Sequence, residues 1–293
     1  MACGAYALCM TRTCRVGNIC IGPGEPLAII AGPCVLESLE MGLQVGRMLK
    51  QTCQQLGLPY IFKASFDKAN RTSLTSPRGP GLHAGLESLS QIREMLGVPI
   101  TTDIHTPQQC HAASEIVDLL QVPAFLCRQT DLLLAAGEAA AQHNRAVNIK
   151  KGQFLSPEEM KGPVEKLAQA GCSNTLCTER GTFFGYHRLV NDFLGLGDLM
   201  DLKCAGGPPP VCFDATHSTQ LPGAGVQTAG RPERAPLLAR AAVAAGVHAI
   251  FLECHPNPAC ALSDSATQQP LEGISDLLEQ LAAIRSALNT PTP

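Results

Sequence analysis

A chain of 293 residues with an apolar fraction of 45% has ample material for a core, arranged either as one barrel of about 250 residues or as two smaller domains. Its formal net charge of −3 excludes the broad positive field of a nucleic-acid-binding protein. The most apolar long window, from residue 235, is interrupted by Arg240 and His248, and it reads as a helix, a glycine turn and a strand rather than as a membrane span.

In chain order, MACGAYALCMTRTCRVGNIC comes first and has no continuous apolar stretch ahead of a small-residue cleavage site. A cytoplasmic protein is expected, with residues 1–24 as a loose extension and residues 25–290 as the folded domain. The 14 cysteines are scattered along a long chain, so they read as thiols in a reducing compartment, most of them buried. Cys3, Cys9, Cys14 and Cys20 lack the paired CxxC spacing of a zinc module.

One junction then recurs. A helical pattern ends in glycine and a β-rich run follows at once, in LGLPYIFKAS, LGVPITTDI, AGCSNTLCTE and AGVHAIFLE. Short apolar runs predict eight strands, at LAIIAG (27), YIFKAS (60), VPITTD (98), VDLLQV (117), AVNIK (146), NTLCTE (174), PVCFDATH (210) and HAIFLE (248). Segments such as ESLEMGLQVGRMLKQTCQQLG and SPEEMKGPVEKLAQAG between them have helical spacing and suffice for the crossovers. The expected fold is α/β, a single (β/α)8 TIM barrel, with an open doubly wound sheet as the competing arrangement. Neither GxGxxG nor a P-loop follows any strand.

Each predicted strand ends at or near a residue fit for chemistry: Cys34, Lys63 with Ser65, Asp103 with His105, Gln121, Lys150, Arg180, His217 and Glu253. In a barrel these ends open on one face, where the active sites of this fold lie. Lys63, Lys68, Lys150 and Arg180 make a cationic set suited to phosphate and carboxylate, although each could instead pair with a carboxylate such as Asp67, Glu179 or Asp103. Cys34, His217, Glu253 and Asp264 form a second set, whose thiol, imidazole and carboxylates suit a divalent metal such as Zn, Fe or Mn. A buried thiol and a hydrogen-bonded core histidine are the plainer readings of Cys34 and His217, and His255 is a rival ligand.

KASFDKANRTS, AGPCVLES, TDIHTP, LLQVPAFLCRQTDLL, NIKKGQF, CTERGTFFGYHRLVND, FDATHSTQ and FLECHPNPACALSD carry a resemblance. From about residue 27 to 288 the chain resembles the 3-deoxy-D-manno-octulosonate 8-phosphate (KDO8P) synthases. The resemblance implies condensation of phosphoenolpyruvate (PEP) with D-arabinose 5-phosphate in lipopolysaccharide biosynthesis, by a homotetrameric barrel enzyme of a Gram-negative bacterial cytoplasm. It implies Lys63, Ser65, Lys68, Lys150 and Arg180 for PEP, with Gln121 and Ala124 lining that pocket. Asn70, Arg71 and Thr72 would contact the sugar and its phosphate, and Asp103 with His105 would border the sugar. Lys63, Lys68, Lys150 and His217 are the expected catalytic group.

One branch of that family carries asparagine where this chain has Cys34, whereas a metal-dependent branch has cysteine there with His, Glu and Asp. Cys34, His217, Glu253 and Asp264 therefore look like ligands of a divalent metal, with Zn, Fe, Mn and Co all open. Thr72 stands where serine is frequent, and it keeps the hydroxyl. The nearest rival, a 3-deoxy-heptulosonate 7-phosphate synthase using erythrose 4-phosphate, has a motif like KPRTS, so Ala69 and Asn70 discriminate. Two further rivals are a Schiff-base aldolase acting through Lys63 or Lys150, and a non-catalytic barrel that binds anions or metal.

Overall fold

The computed structural model describes residues 12–69, 77–223 and 229–289. Eight parallel strands form the barrel: β1 (Ala28–Gly32), β2 (Tyr60–Lys63), β3 (Ile100–Asp103), β4 (Leu119–Val122), β5 (Ala146–Lys150), β6 (Thr175–Glu179), β7 (Val211–Asp214) and β8 (Ala249–His255). They pair in sequence order, β8 pairs back with β1, and β7 pairs with β8. Every predicted strand is present, and the β8–β1 pairing closes the sheet, which rules out the open alternative.

Eight helices surround it: α1 (Leu39–Leu56), α2 (Leu82–Leu96), α3 (Pro107–Ile116), α4 (Thr130–His143), α5 (Lys161–Gln169), α6 (Phe193–Met200), α7 (Ala235–Ala244) and α8 (Ile274–Asn289). In α1 the Ser38 side chain accepts from the Met41 N–H, and Leu43, Val45, Gly46, Leu49 and Cys53 recur on the buried face. Gly57 closes the helix at φ 66°, a conformation that costs glycine little, and β2 follows three residues on. No helix among the described residues is long and apolar enough to cross a membrane.

Part of the expected loose extension is ordered. Cys14–Val16 and Ile19–Ile21 form an antiparallel hairpin with Val16 opposite Ile19, and Cys14, Val16 and Ile21 are fully buried. Their apolar side chains join Ala28, Ile30, Ile61, Leu119 and Leu176 in the barrel interior. Asn174, just ahead of β6, accepts from the Arg15 N–H at 2.7 Å and donates to the Arg15 carbonyl at 2.7 Å. The hairpin therefore plugs the end of the barrel where the strands begin, leaving the strand C-terminal ends as the open mouth.

That closed end also carries an acid-sensitive group. His248, just before β8, accepts the Val211 N–H through Nδ1 at 2.9 Å. Burial, aided by the Arg285 charge, lowers its pKa from 6.5 to about 4. The unfolded chain binds a proton in this window that the folded chain refuses. Stability from this group is thus complete above about pH 6.5 and falls by about 3 kcal/mol as the pH drops to about 4. His248→Asn keeps an acceptor without titrating. Unfolding midpoints followed across that window should fall less steeply for the variant, and equal slopes would contradict the assignment.

Candidate active site

The period of two along each strand sorts the barrel interior into an apolar floor and a polar mouth. Ile61, Leu119, Ala146, Leu176, Cys212 and Phe251 belong to the interior apolar cluster. Two residues further along the same strands stand Lys63, Gln121, Asn148, Thr178, Asp214 and Glu253, and all six are buried. Buried polar groups need partners, and these supply one another.

Asp103 at the end of β3 accepts from Ser65 Oγ at 2.5 Å and from Gln121 Nε2 at 2.7 Å. The chain continues through Asn148 Nδ2 to Gln121 Oε1 at 2.9 Å and Thr178 Oγ1 to Asn148 Oδ1 at 2.7 Å. Successive strands β3 to β6 are thereby tied at their upper ends, which fixes Ser65 and Gln121 in place. Burial would raise the Asp103 carboxyl, but the charges of Lys63, Lys68 and Lys150 hold it well below the usual carboxylate range.

The cations are held by carboxylates. Lys63 Nζ donates to Glu253 Oε1 at 2.5 Å and to the Cys34 carbonyl at 2.9 Å. Lys150 Nζ donates to Asp214 Oδ2 at 2.7 Å and lies 3.7 Å from the centre of the Phe251 ring. Both amines are committed as ammonium donors, which argues against a Schiff-base nucleophile at either position. Arg180, just after β6, donates through Nη2 to Gln220 Oε1 at 2.5 Å, while its buried Nη1 has no hydrogen-bond partner among the described residues. An unanswered guanidinium nitrogen in a cleft is a ready donor to an anion.

The quartet assembles on the other side of the mouth. Gly32 ends β1 against β2, and a Cβ there would lie 2.0 Å from the Lys63 carbonyl oxygen, so only glycine lets the following Pro33-Cys34 turn sit this close. Cys34 Sγ lies 2.8 Å from Asp264 Oδ2. Burial first, then the charges of Asp264 and Glu253, push the Cys34 thiol well above its ordinary pKa, so it donates to Asp264. Asp264 itself sits at φ 48°, a left-handed conformation few residues other than glycine adopt, of the kind that clusters at functional sites.

His217, the fourth expected ligand, lies beside this group and faces two of its three members. Its Nδ1 is 2.7 Å from Asp214 Oδ2, and a carboxylate oxygen accepts, so Nδ1 donates and Nε2 is the nitrogen turned toward the quartet. Nε2 lies 3.6 Å from Glu253 Oε2 and 3.9 Å from Asp264 Oδ2. Glu253 Oε2 is buried without a hydrogen-bond partner among the described residues. Cys34, Glu253 and Asp264 each offer a ligand atom within 4.8 Å of the others. An orphaned carboxylate oxygen and a thiol in one cluster, with an imidazole nitrogen set against both of its carboxylates, fit a divalent ion soft enough for sulfur, such as Zn, Fe, Mn or Co.

The remaining expectations divide. Lys68 lies among Cys34, Glu253, Asp264 and Asp103; burial would lower its pKa, but the negative charge of this cluster raises it well above the ordinary value. His105 keeps a buried Nδ1 that has no hydrogen-bond partner among the described residues, and burial lowers its pKa, which favours the neutral ring. Ala124 is buried in the 3-10 turn after β4. Asn70, Arg71 and Thr72 lie outside the described residues. His255, the rival ligand, instead faces Glu37 at 3.4 Å. Asp67 is taken by Arg78 and Glu179 by Lys151, so neither neutralises the cations it was set against.

Sequence reasoning missed Asp214, which binds both Lys150 and His217, along with Asn148 and Thr178 in the relay. The signal was present: Asp214 and Asn148 stand two residues from inward-facing Cys212 and Lys150.

The sequence profile of the DAHP synthetase I family matches residues 8–290. The chain belongs to the DAHP synthetase I family. Relatives named 2-dehydro-3-deoxyphosphooctonate aldolase are similar over nearly the whole length. The relative from Cyanothece sp. is 50% identical over 272 residues, covering 92% of this chain and 96% of its own. Those from Syntrophotalea carbinolica and Desulfotalea psychrophila are 48% and 47% identical, covering 94% and 92% of this chain and 96% and 94% of their own. Membership of the DAHP synthetase I family agrees with a barrel whose mouth gathers cations and ligand residues.

Proposed function

We propose that this chain is a metal-dependent 3-deoxy-8-phosphooctulonate synthase, which condenses PEP with D-arabinose 5-phosphate and water and releases inorganic phosphate. One observation carries the reading: buried cations and a thiol–imidazole–carboxylate quartet share a single barrel mouth. Lys63, Lys68, Lys150 and Arg180 balance Asp103, Asp214, Glu253 and Asp264 in formal charge. A divalent ion displacing the Cys34 proton would leave the mouth positive, as two phosphorylated substrates require.

In this reading Lys63, Ser65, Lys68, Gln121, Lys150 and Arg180 hold PEP, with Ala124 lining its pocket, while Asp103 and His105 border the sugar. Asn70, Arg71 and Thr72 are proposed for the sugar phosphate on the strength of the KANRTS motif. Carbon 3 of PEP attacks the aldehyde with its alkene electrons, water adds at carbon 2, and the carbon–oxygen bond to phosphate then breaks to leave the keto acid. Fixed cations remove the mutual repulsion of the two anions and hold them in line, worth several kcal/mol of the barrier. A bound divalent ion supplies polarisation and orientation of substrate oxygen.

The names of the relatives favour arabinose 5-phosphate over erythrose 4-phosphate. Incubation with PEP and each sugar phosphate in turn tests the choice by product mass. An eight-carbon acid phosphate is expected, and a seven-carbon product formed faster would overturn the assignment. A cytoplasmic place in a Gram-negative bacterium, in lipopolysaccharide synthesis, follows from the same reading. Self-association as a homotetramer is supported by an exposed aromatic surface, in which Phe184 and Tyr186 are 74% and 80% exposed and Phe183 lies beside Phe125. A light-scattering mass of one chain would refute it.

A further inference from the structure

On the outer wall of the barrel, α3 and α4 bring His111, Glu115 and His143 together. One ligand atom of each lies within 4.8 Å of the other two. The group stands toward the closed end of the barrel, because His143 is the last residue of α4 and β5 starts at Ala146. It shares no residue with the mouth.

Local helix geometry accounts for part of this. His111 and Glu115 are one turn apart on α3 with Nδ1 and Oε1 3.4 Å apart, an ordinary i,i+4 pair. A histidine in the last turn of α4 also suits the negative end of that helix. Neither explains why the His143 ring stands edge-on to His111 at 5.2 Å and 89°, with its Nε2 buried and without a hydrogen-bond partner among the described residues. A ring nitrogen left in that state is available to a ligand or an ion.

We propose that His111, Glu115 and His143 form a second divalent metal site of the zinc class, which clasps α3 to α4. Two imidazoles and one carboxylate suit a borderline ion with a fourth position left to water, whereas Mg and Ca prefer oxygen alone. Bonds of about 2.0–2.1 Å in a tetrahedron set ligand atoms about 3.3 Å apart. His111 and Glu115 already meet that separation, so only His143 has to close in. Arg145, two residues beyond His143, does not oppose a cation with a free charge. Its guanidinium is engaged by Asp118 and by the Ser114 and Glu115 carbonyls. With no thiolate in the set and open water alongside, this site would bind more weakly than the Cys34 quartet.

The test compares zinc uptake by chelator-treated protein with that of His111→Ala/His143→Ala, using a competing chromophoric chelator, and follows the unfolding midpoint as zinc is added. The unaltered chain should take up one more equivalent than the variant, and zinc should raise its midpoint by more. Both readouts are differences, so any metal held at the mouth cancels and the site stands or falls independently of the proposed reaction. Glu115→Gln, an exposed substitution that leaves the helix pair intact, should weaken the extra equivalent without abolishing it. Equal uptake and equal midpoint shifts in the unaltered and double-variant proteins would overturn the proposal and leave the cluster an aromatic contact.

Discussion

Replacing Lys63 with methionine is expected to destabilise the fold by about 3–5 kcal/mol and to slow phosphate release from PEP about 10²–10³-fold. The side chain is 1% exposed, and its ammonium answers Glu253 Oε1 at 2.5 Å and approaches Asp103 Oδ2 at 3.9 Å. Glu253 has no hydrogen bond on its other oxygen among the described residues, so losing Lys63 strands a buried carboxylate. Burial alone would raise Glu253, and Lys63 is the foremost of the charges that keep it ionised. Lys63→Met combined with Glu253→Gln removes both charges. The double variant should recover most of the lost stability but none of the activity, because the anion-binding cation is still missing. Thermal unfolding and initial rates separate the two effects. If both variants unfold alike, the ion pair is not what holds Lys63 in place.

Asp214→Asn is expected to weaken metal affinity about 10–100-fold, with activity partly recovered at excess metal. Asp214 Oδ2 accepts from His217 Nδ1 at 2.7 Å and from Lys150 Nζ at 2.7 Å. Oδ1 accepts the backbone N–H groups of Thr216 at 3.1 Å and His217 at 2.9 Å. All four partners donate, and an asparagine can accept on one side only. If its amide nitrogen faces the side chains, it opposes Lys150 and turns the His217 tautomer so that Nε2 carries the proton. If it faces the backbone, it meets two N–H groups. Metal content after dialysis against a graded chelator checks the effect. Unchanged affinity would remove Asp214 as the residue that positions His217.

The barrel was legible because the helix–glycine–strand junctions and apolar runs are local signals, and the structure uses each of the eight runs as a strand. The strand-end residues were legible for the same reason, since a barrel sends the ends of its strands to one face. Asp214 and Asn148 were passed over as strand interior, although the period of two turns them inward with the residues already singled out. The hairpin at Cys14–Ile21 was hidden by its cysteines. Read for pattern, it is a Gly-Asn turn flanked by alternating buried residues, but nothing local says that its apolar face will plug a barrel. The His111, Glu115 and His143 group joins two helices, so spacing along the chain exposes only its i,i+4 half.

Phosphate release from PEP with arabinose 5-phosphate, measured before chelation, after complete metal removal and after adding back Zn, Fe, Mn or Co, bears most directly on the mouth as a metal-dependent synthase. Turnover lost with the metal and restored by its return, with erythrose 4-phosphate inert throughout, is the predicted result. Undiminished turnover in the metal-free protein would contradict it and return Cys34 to the role of a buried thiol.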